Sequence, residues 1–263
     1  MNHIEVKILN PEQLAQGEQM MVAMARLTQR SHKITNMDDF VELLNKPYSQ
    51  TTVTTMGALP HPTIKKFALI NIAIVGASRR FLAQITRHQN EIKFMSGSLQ
   101  YSDYSDDAQF CVPYEILKAS AERTTIEDMD AAVYYLEGCR RDLEEYRKLA
   151  AVVGNDAAGY KMPQGMRNVL LMSVQPFELM HIINQRTCNR NTLETQYVML
   201  KIWEQLYQHP QYGAMWQSCG PDCQGRGCQE GKFSCGLAGN SLRGMKPTSI
   251  LRQRFPLICG EDI

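Results

Sequence analysis

The sequence predicts a mixed α+β, largely helical single domain followed by a Cys-rich C-terminal tail. Three observations predict it. Residues 4–9 alternate, with Ile4, Val6 and Ile8 on one side, as a half-buried strand does. Residues 126–152 repeat apolar positions at helical spacing. From Ser218 onward the chain turns rich in Gly and Cys and reads as irregular. The domain is therefore expected over residues 1–217 and the tail over residues 218–263.

The elements follow in order. Pro11 opens a helix that runs through about Met24. Pro60 and Pro62 punctuate a loop around His61. Residues 67–75, rich in Ile, Leu and Ala, read as a strand entering a core. Gly76 is expected to break it, and Ser78 to N-cap a helix reaching about His88. The clearest helix is expected over residues 126–152. Thr125 with Asp128 resembles a capping box, and Ile126, Met129, Val133, Leu136, Leu143 and Tyr146 keep one face apolar. Residues 154–165 hold three Gly and one Pro and read as a loop. Helices are then expected over residues 174–186 and 193–207, with Pro210 ending the second.

A chain of 263 residues, 44% hydrophobic and 21% charged, has enough length to bury a core without disulfide staples. Lys and Arg total 28 against 27 for Asp and Glu. So even a balance leaves no electrostatic footprint for polymeric nucleic acid or an anionic membrane, though it permits local basic pockets. Residues 1–10 carry Glu5 and Lys7 among short apolar pairs, unlike a signal-peptide core. The longest apolar stretch, residues 67–77, is interrupted by Asn71 and too short to span a bilayer. The expected location is the cytoplasm. Of eight cysteines, Cys111, Cys139, Cys188 and Cys259 are scattered and four cluster near the C-terminus. Without an export signal, clustering favours metal or reduced thiols over disulfides.

Three polar constellations stand out. The first is Gln84, Arg87, His88 and Gln89, followed by the run from Ser96 through Ser98, Gln100 and Tyr101 to Ser102. Arg87 and His88 read either as C-terminal helix cations or as site residues. The Ser-Gly-Ser run reads either as a turn or as a phosphate cradle. The second is Glu178, His181, Asn184, Gln185 and Arg186 on one apolar helix, where polar groups need partners from the protein or from a ligand. The third is Cys219, Cys223, Cys228 and Cys235. Four thiolates suit a tetrahedral zinc shell; the other reading is a set of reduced thiols. No P-loop, dinucleotide fingerprint, G-x-S-x-G elbow or H-E-x-x-H motif is present.

Taken in order, these pieces resemble the flavin-dependent thymidylate synthases. His61-Pro62-Thr63 stands in that family's early His segment, and Ser78-Arg79 starts its next helix. Gln84, Arg87 and His88 fall at the offsets of its Arg-His-Arg helix. Ser98 and Tyr101 follow after a one-residue insertion. Met162-Pro163, the run Gln175 to Leu179, Arg186, Cys188, Arg190 and Glu194 match downstream, and residues 220–236 resemble the tail of one bacterial branch.

The resemblance implies the fold of that family, FAD as cofactor, NADPH as its reductant, and transfer of a one-carbon unit from methylenetetrahydrofolate to C5 of dUMP. It implies a homotetramer whose sites span subunits. By position, Arg186 would polarise the pyrimidine and Ser98 lie near the base. Arg87, His88, His181 and His61 would line the flavin, and Gln84, Gln100, Tyr101 and Arg190 the nucleotide. Several anion-binding arginines of the family are replaced: Gln89, Gln100, Gly159 and Phe177 stand in their places. A charge-assisted contact of that kind is worth roughly 1.5–3 kcal/mol. Lys65, Lys66, Lys93, Arg190 or a neighbouring subunit are the available substitutes. Three readings follow: a thymidylate synthase with rearranged ligands, a paralogue modifying another pyrimidine nucleotide, and a non-catalytic nucleotide-binding member.

Overall fold

Alternation makes β1 (Glu5–Ile8) a half-buried strand, with Val6 and Ile8 turned inward and Glu5 and Lys7 outward. In the computed structural model, which describes residues 1, 3–104, 109–223, 227–237 and 245–259, β1 is one edge of a four-stranded antiparallel sheet. The order is β1, β2 (Ile70–Ser78), β6 (Arg167–Val174) and β3 (Ile92–Ser96). A short hairpin, β4 (Thr125–Ile126) with β5 (Met129–Asp130), stands apart.

One face of the sheet is the core. Ile70, Ile72 and Ile74 of β2 and Leu170, Met172 and Val174 of β6 are buried, each fully buried aliphatic side chain contributing about 1.5–3 kcal/mol. Against them runs α9 (Leu193–Gln208), buried continuously from Thr195 to Leu200. A helix through a core must satisfy its polar groups internally. Gln205 does so by accepting from Ile8 N and donating to Val6 O, which closes the free edge of β1. Gln196 donates to Asn189 O and Asn191 O. The N-terminal helices α1 (Pro11–Arg30), α2 (Met37–Asn45) and α3 (Gln50–Ala58) cover one flank. A second apolar cluster, centred on Leu143, Tyr146 and Met166, lies under α6 (Ala131–Val153). No helix among the described residues is long and apolar enough to cross a membrane.

The structure departs from the sequence expectations in five places. Gly76 does not end β2. It sits at a bulge between Val75 and Ala77 with φ +85°, and a Cβ there would meet His3 O at 2.6 Å. Helix α4 (Arg79–Ile85) stops short of His88, leaving Arg87 and His88 in the turn beyond it. Helix α6 starts at Ala131 rather than Ile126. Glu127 and Asp128, at φ 50° and 62°, make the hairpin turn, and Asp130 caps the helix by accepting from Ala132 N and Val133 N. The expected loop at 154–165 contains α7 (Asn155–Ala158) and a 3-10 turn, Gly159–Lys161. Ser78 does cap α4, accepting from Phe81 N at 3.1 Å. The tail, expected to be irregular, carries α10 (Pro247–Arg254) and α11 (Pro256–Cys259).

Candidate active site

Two strand–helix units build the site. Strand β2 leads through Ser78 into α4, and β6 leads through Pro176 into α8 (Pro176–Arg186). Their helical ends meet. Arg186 donates from Nε to His88 Nε2 at 2.9 Å, from Nη1 to Asn191 Oδ1 at 3.1 Å, and from Nη2 to the Gln84 carbonyl at 3.2 Å. His88 is buried, its Nδ1 lies 3.7 Å from Glu178 Oε1, and its ring meets His181 edge-on at 6.2 Å. Glu178 and Arg186 are eight residues apart, about 12 Å along a helix. The long Arg186 side chain reaches back toward the N-terminus of α8, as helical side chains do. Both residues therefore bear on one imidazole.

The electrostatics set the protonation state. Burial, then the Arg186 charge, then His181 hold His88 down at about 4. The ring is neutral near pH 7, and Nε2 accepts from Arg186, so its proton sits on Nδ1, facing Glu178. Burial pushes Glu178 up, against the opposing charges of His181 and Lys66. Burial and the neighbouring Arg87 charge push Arg186 down. Two guanidinium groups thus share this corner.

The expected residues fall in two groups. Gln84, Arg87, His88, His181 and Arg186 are brought together. Ser98, Gln100 and Tyr101 are not. Ser98 Oγ accepts from Gln100 N at 3.1 Å and Tyr101 N at 3.3 Å, organising a turn past the far end of β3. Five strand residues, about 16 Å, separate that turn from the His88 end. Gln100 and Tyr101 are exposed, Tyr101 by 84%. His61 and Arg87 are exposed. Arg190 is exposed and lies over the Phe233 ring at 5.6 Å.

Beside α8 lies a cleft of about 470 Å³, walled by Phe177, Met180, His181 and Asn184 on one side and by Lys65 and residues 218–222 on the other. Lys65 donates to Gly57 O at 2.6 Å and Leu59 O at 2.7 Å, so this buried cation is held at the C-terminus of α3. Lys66 pairs with Glu91 at 2.5 Å and lies 5.7 Å from the Phe177 ring. Asn184 accepts from Gly220 N at 2.9 Å and ties the start of the tail to α8. Sequence reasoning missed Asn191, which holds Arg186. Its only signal was a polar run, Asn189 to Thr192, between two apolar helices.

The four-cysteine set expected in the tail is not kept together. Cys219 is buried and opens on the 470 Å³ cleft beside Lys65. Cys188, which was not expected there, lines a second cavity of about 260 Å³ with Cys223, Cys228 and Arg186. Burial, then Cys188, Cys235 and Cys228, push the Cys223 thiol up.

The fold is thus an antiparallel sheet buried on one face, with two strand–helix units converging on an Arg–His pair, and His181 of the same corner lines a cleft that also holds Lys65 and Asp222. The family model described as thymidylate synthase complementing protein matches residues 12–210, and the chain belongs to that family. A search of curated proteins finds no match. Among solved structures, the chain is similar to thymidylate synthase X (ThyX) of Helicobacter pylori with FAD and dUMP. The identity is 16% and the TM-score 0.58, covering 82% of this chain and 98% of that one. It is also similar to the UMP/dUMP methylase PolB of Streptomyces cacaoi bound with 5-Br dUMP, at 16% identity and TM-score 0.59, covering 82% and 96%. At these identities the likeness is one of fold.

Proposed function

We propose that this protein is a flavin-dependent enzyme that transfers a one-carbon unit to C5 of a pyrimidine nucleotide, dUMP in the first instance. The observation that carries the reading is the Arg186–His88 pair beside the cleft, in a chain of this family. The residues present suit an anionic flat-ringed cofactor. The buried Nη1 of Arg79 has no acceptor among the described residues. Arg87 stands exposed beside Arg186, two like charges that an anion would reconcile. Phe177 and His181 offer flat walls. FAD, when bound and reduced by NADPH, supplies the hydride, and methylenetetrahydrofolate the carbon.

The chain's own residues do the rest. Arg186 commits three of its five N–H donors to protein acceptors. The others are left to draw charge onto a pyrimidine carbonyl. Neutral His88 is buried and engaged, so it is a positioning residue rather than a flavin contact. Ser98, Gln100 and Tyr101 reach such a site from a neighbouring subunit, in a homotetramer.

Loss of the family arginines at Gln89, Gln100, Gly159 and Phe177 favours a second reading, transfer to another pyrimidine nucleotide. The test is flavin absorption of the purified chain, followed by tritium release from 5-labelled dUMP and UMP with methylenetetrahydrofolate and NADPH. A flavin band with release from dUMP is expected. Release from UMP alone selects the second reading, and a colourless chain that takes up no added FAD overturns both.

A further inference from the structure

The tail carries more cysteine than the proposed chemistry uses, and the fold gathers it with a cysteine from the body. Cys188, Cys223 and Cys228 line one cavity of about 260 Å³. Cys188, Cys228 and Cys235 all lie within electrostatic range of Cys223. Arg254 of α10 lies in the same field, close to Cys188, Cys235 and Cys223. Its Nη1 donates to Thr187 O at 2.6 Å and Gln196 Oε1 at 2.7 Å, which fixes the guanidinium against α9. Its Nη2 is buried and has no acceptor among the described residues. A buried N–H without an acceptor is costly, and a metal-bound thiolate is a good acceptor for it.

From this geometry we infer that Cys188, Cys223, Cys228 and Cys235 bind one Zn²⁺ per chain, with Arg254 donating to the thiolates and Cys219 excluded. Four thiols, each losing its proton, close a neutral-pH tetrahedral shell of net charge −2, half of which the Arg254 cation offsets. As they stand, no three His, Cys, Asp or Glu side chains among the described residues form a ready metal shell. The site therefore closes on binding. Cys228 and Cys235 lie on either side of the 3-10 turn Gly231–Phe233, with only loop between. The zinc would clamp this tail to Cys188, two residues beyond Arg186, and so stiffen the wall of the same cavity that Arg186 lines. Metal binding is read independently of flavin or turnover, so this inference and the proposed function fail separately.

The experiment is metal analysis of the purified full chain, with Cys188→Ser and Cys219→Ala variants, and cobalt titration of the metal-free wild type. One zinc per wild-type chain is expected, unchanged in Cys219→Ala and lost from Cys188→Ser. Cobalt should give a thiolate charge-transfer band. Arg254→Gln, which leaves all four thiols in place, serves as a second variant should Cys188→Ser fail to fold, and is expected to weaken cobalt affinity at least tenfold. Zinc lost from Cys219→Ala but kept by Cys188→Ser overturns the inference. So does iron with acid-labile sulfide, a disulfide among these four cysteines, or wild type that takes up neither metal.

Discussion

Arg186 is held by three acceptors from two stretches of chain, and the geometry of each depends on a forked, planar donor. A lysine offers one nitrogen and reaches one of the three. Arg186→Lys should therefore lower kcat by about 100-fold with the far-UV spectrum unchanged; near-normal turnover would remove Arg186 from the chemistry. His88 gives a second measurement. Its folded value of about 4 lies below the ordinary 6.5. The unfolded chain therefore takes the proton first as pH falls. Stability is full above about pH 6.5, declines between about 6.5 and 4, and levels below, by on the order of 2–3 kcal/mol. Urea unfolding near pH 7.5 and near pH 5 should show that loss in wild type and a smaller one in His88→Gln. Glu18 runs the other way. Burial raises it to about 7, and among the described residues Met215 N donates to it while its Oε2 has no partner. The folded chain holds that proton longer, so its ionisation erodes stability as pH rises from about 4.5 to 7. Glu18→Gln should gain about 1–3 kcal/mol above pH 7, read by the same unfolding curves. At this scale the sequence showed which polar residues stood out. It did not show that His88 accepts a hydrogen bond from Arg186, because that depends on a turn forming where helix was expected.

Among the elements, Gly76 repays its conformation. With φ +85° and His3 O only 2.6 Å from where a Cβ would sit, it permits the bulge that lets β2 continue to Ser78 and place the α4 cap. Gly76→Ala should cost at least about 2 kcal/mol by thermal or urea unfolding; an unchanged midpoint would show that the bulge relaxes freely. The same residue shows how local signals mislead. A lone glycine after an apolar run reads as a stop, yet in a sheet it also marks a bulge. Strand β6 went unread because it is central. Asn168, Leu170, Met172 and Val174 face the core, but Val169 and Leu171 on the other face are also apolar, so alternation is lost. The start of α6 was misplaced because Glu127 and Asp128 look like helix residues, and only pairing of Thr125 with Asp130 turns them into a hairpin. Long amphipathic or core helices such as α8 and α9 were legible to within a few residues, since their periodicity survives any tertiary context.

At the scale of the whole molecule the proposed assembly needs a surface on which copies meet, and the outer face of the sheet offers one. Val75 is 44% exposed, Met95 72%, Val169 56% and Leu171 40%, side by side across β2, β3 and β6. A contiguous apolar face of this kind is more than a monomer needs, and it lies on the sheet that separates the Ser98 turn from the His88 corner. Covering it with a second copy would bury the face and bring another chain's Ser98, Gln100 and Tyr101 within reach, which one chain cannot do for itself. The sequence shows none of this directly, because exposed and buried valines look alike until the sheet has an inside. Val169→Asp places a charge at the centre of that face without touching the core. The chain should stay folded by circular dichroism, fall to a smaller species by light scattering, and lose turnover while retaining its Arg186–His88 corner. Retention of the full assembly mass would show that the copies meet elsewhere. A monomer with full activity would show that one chain completes the site alone.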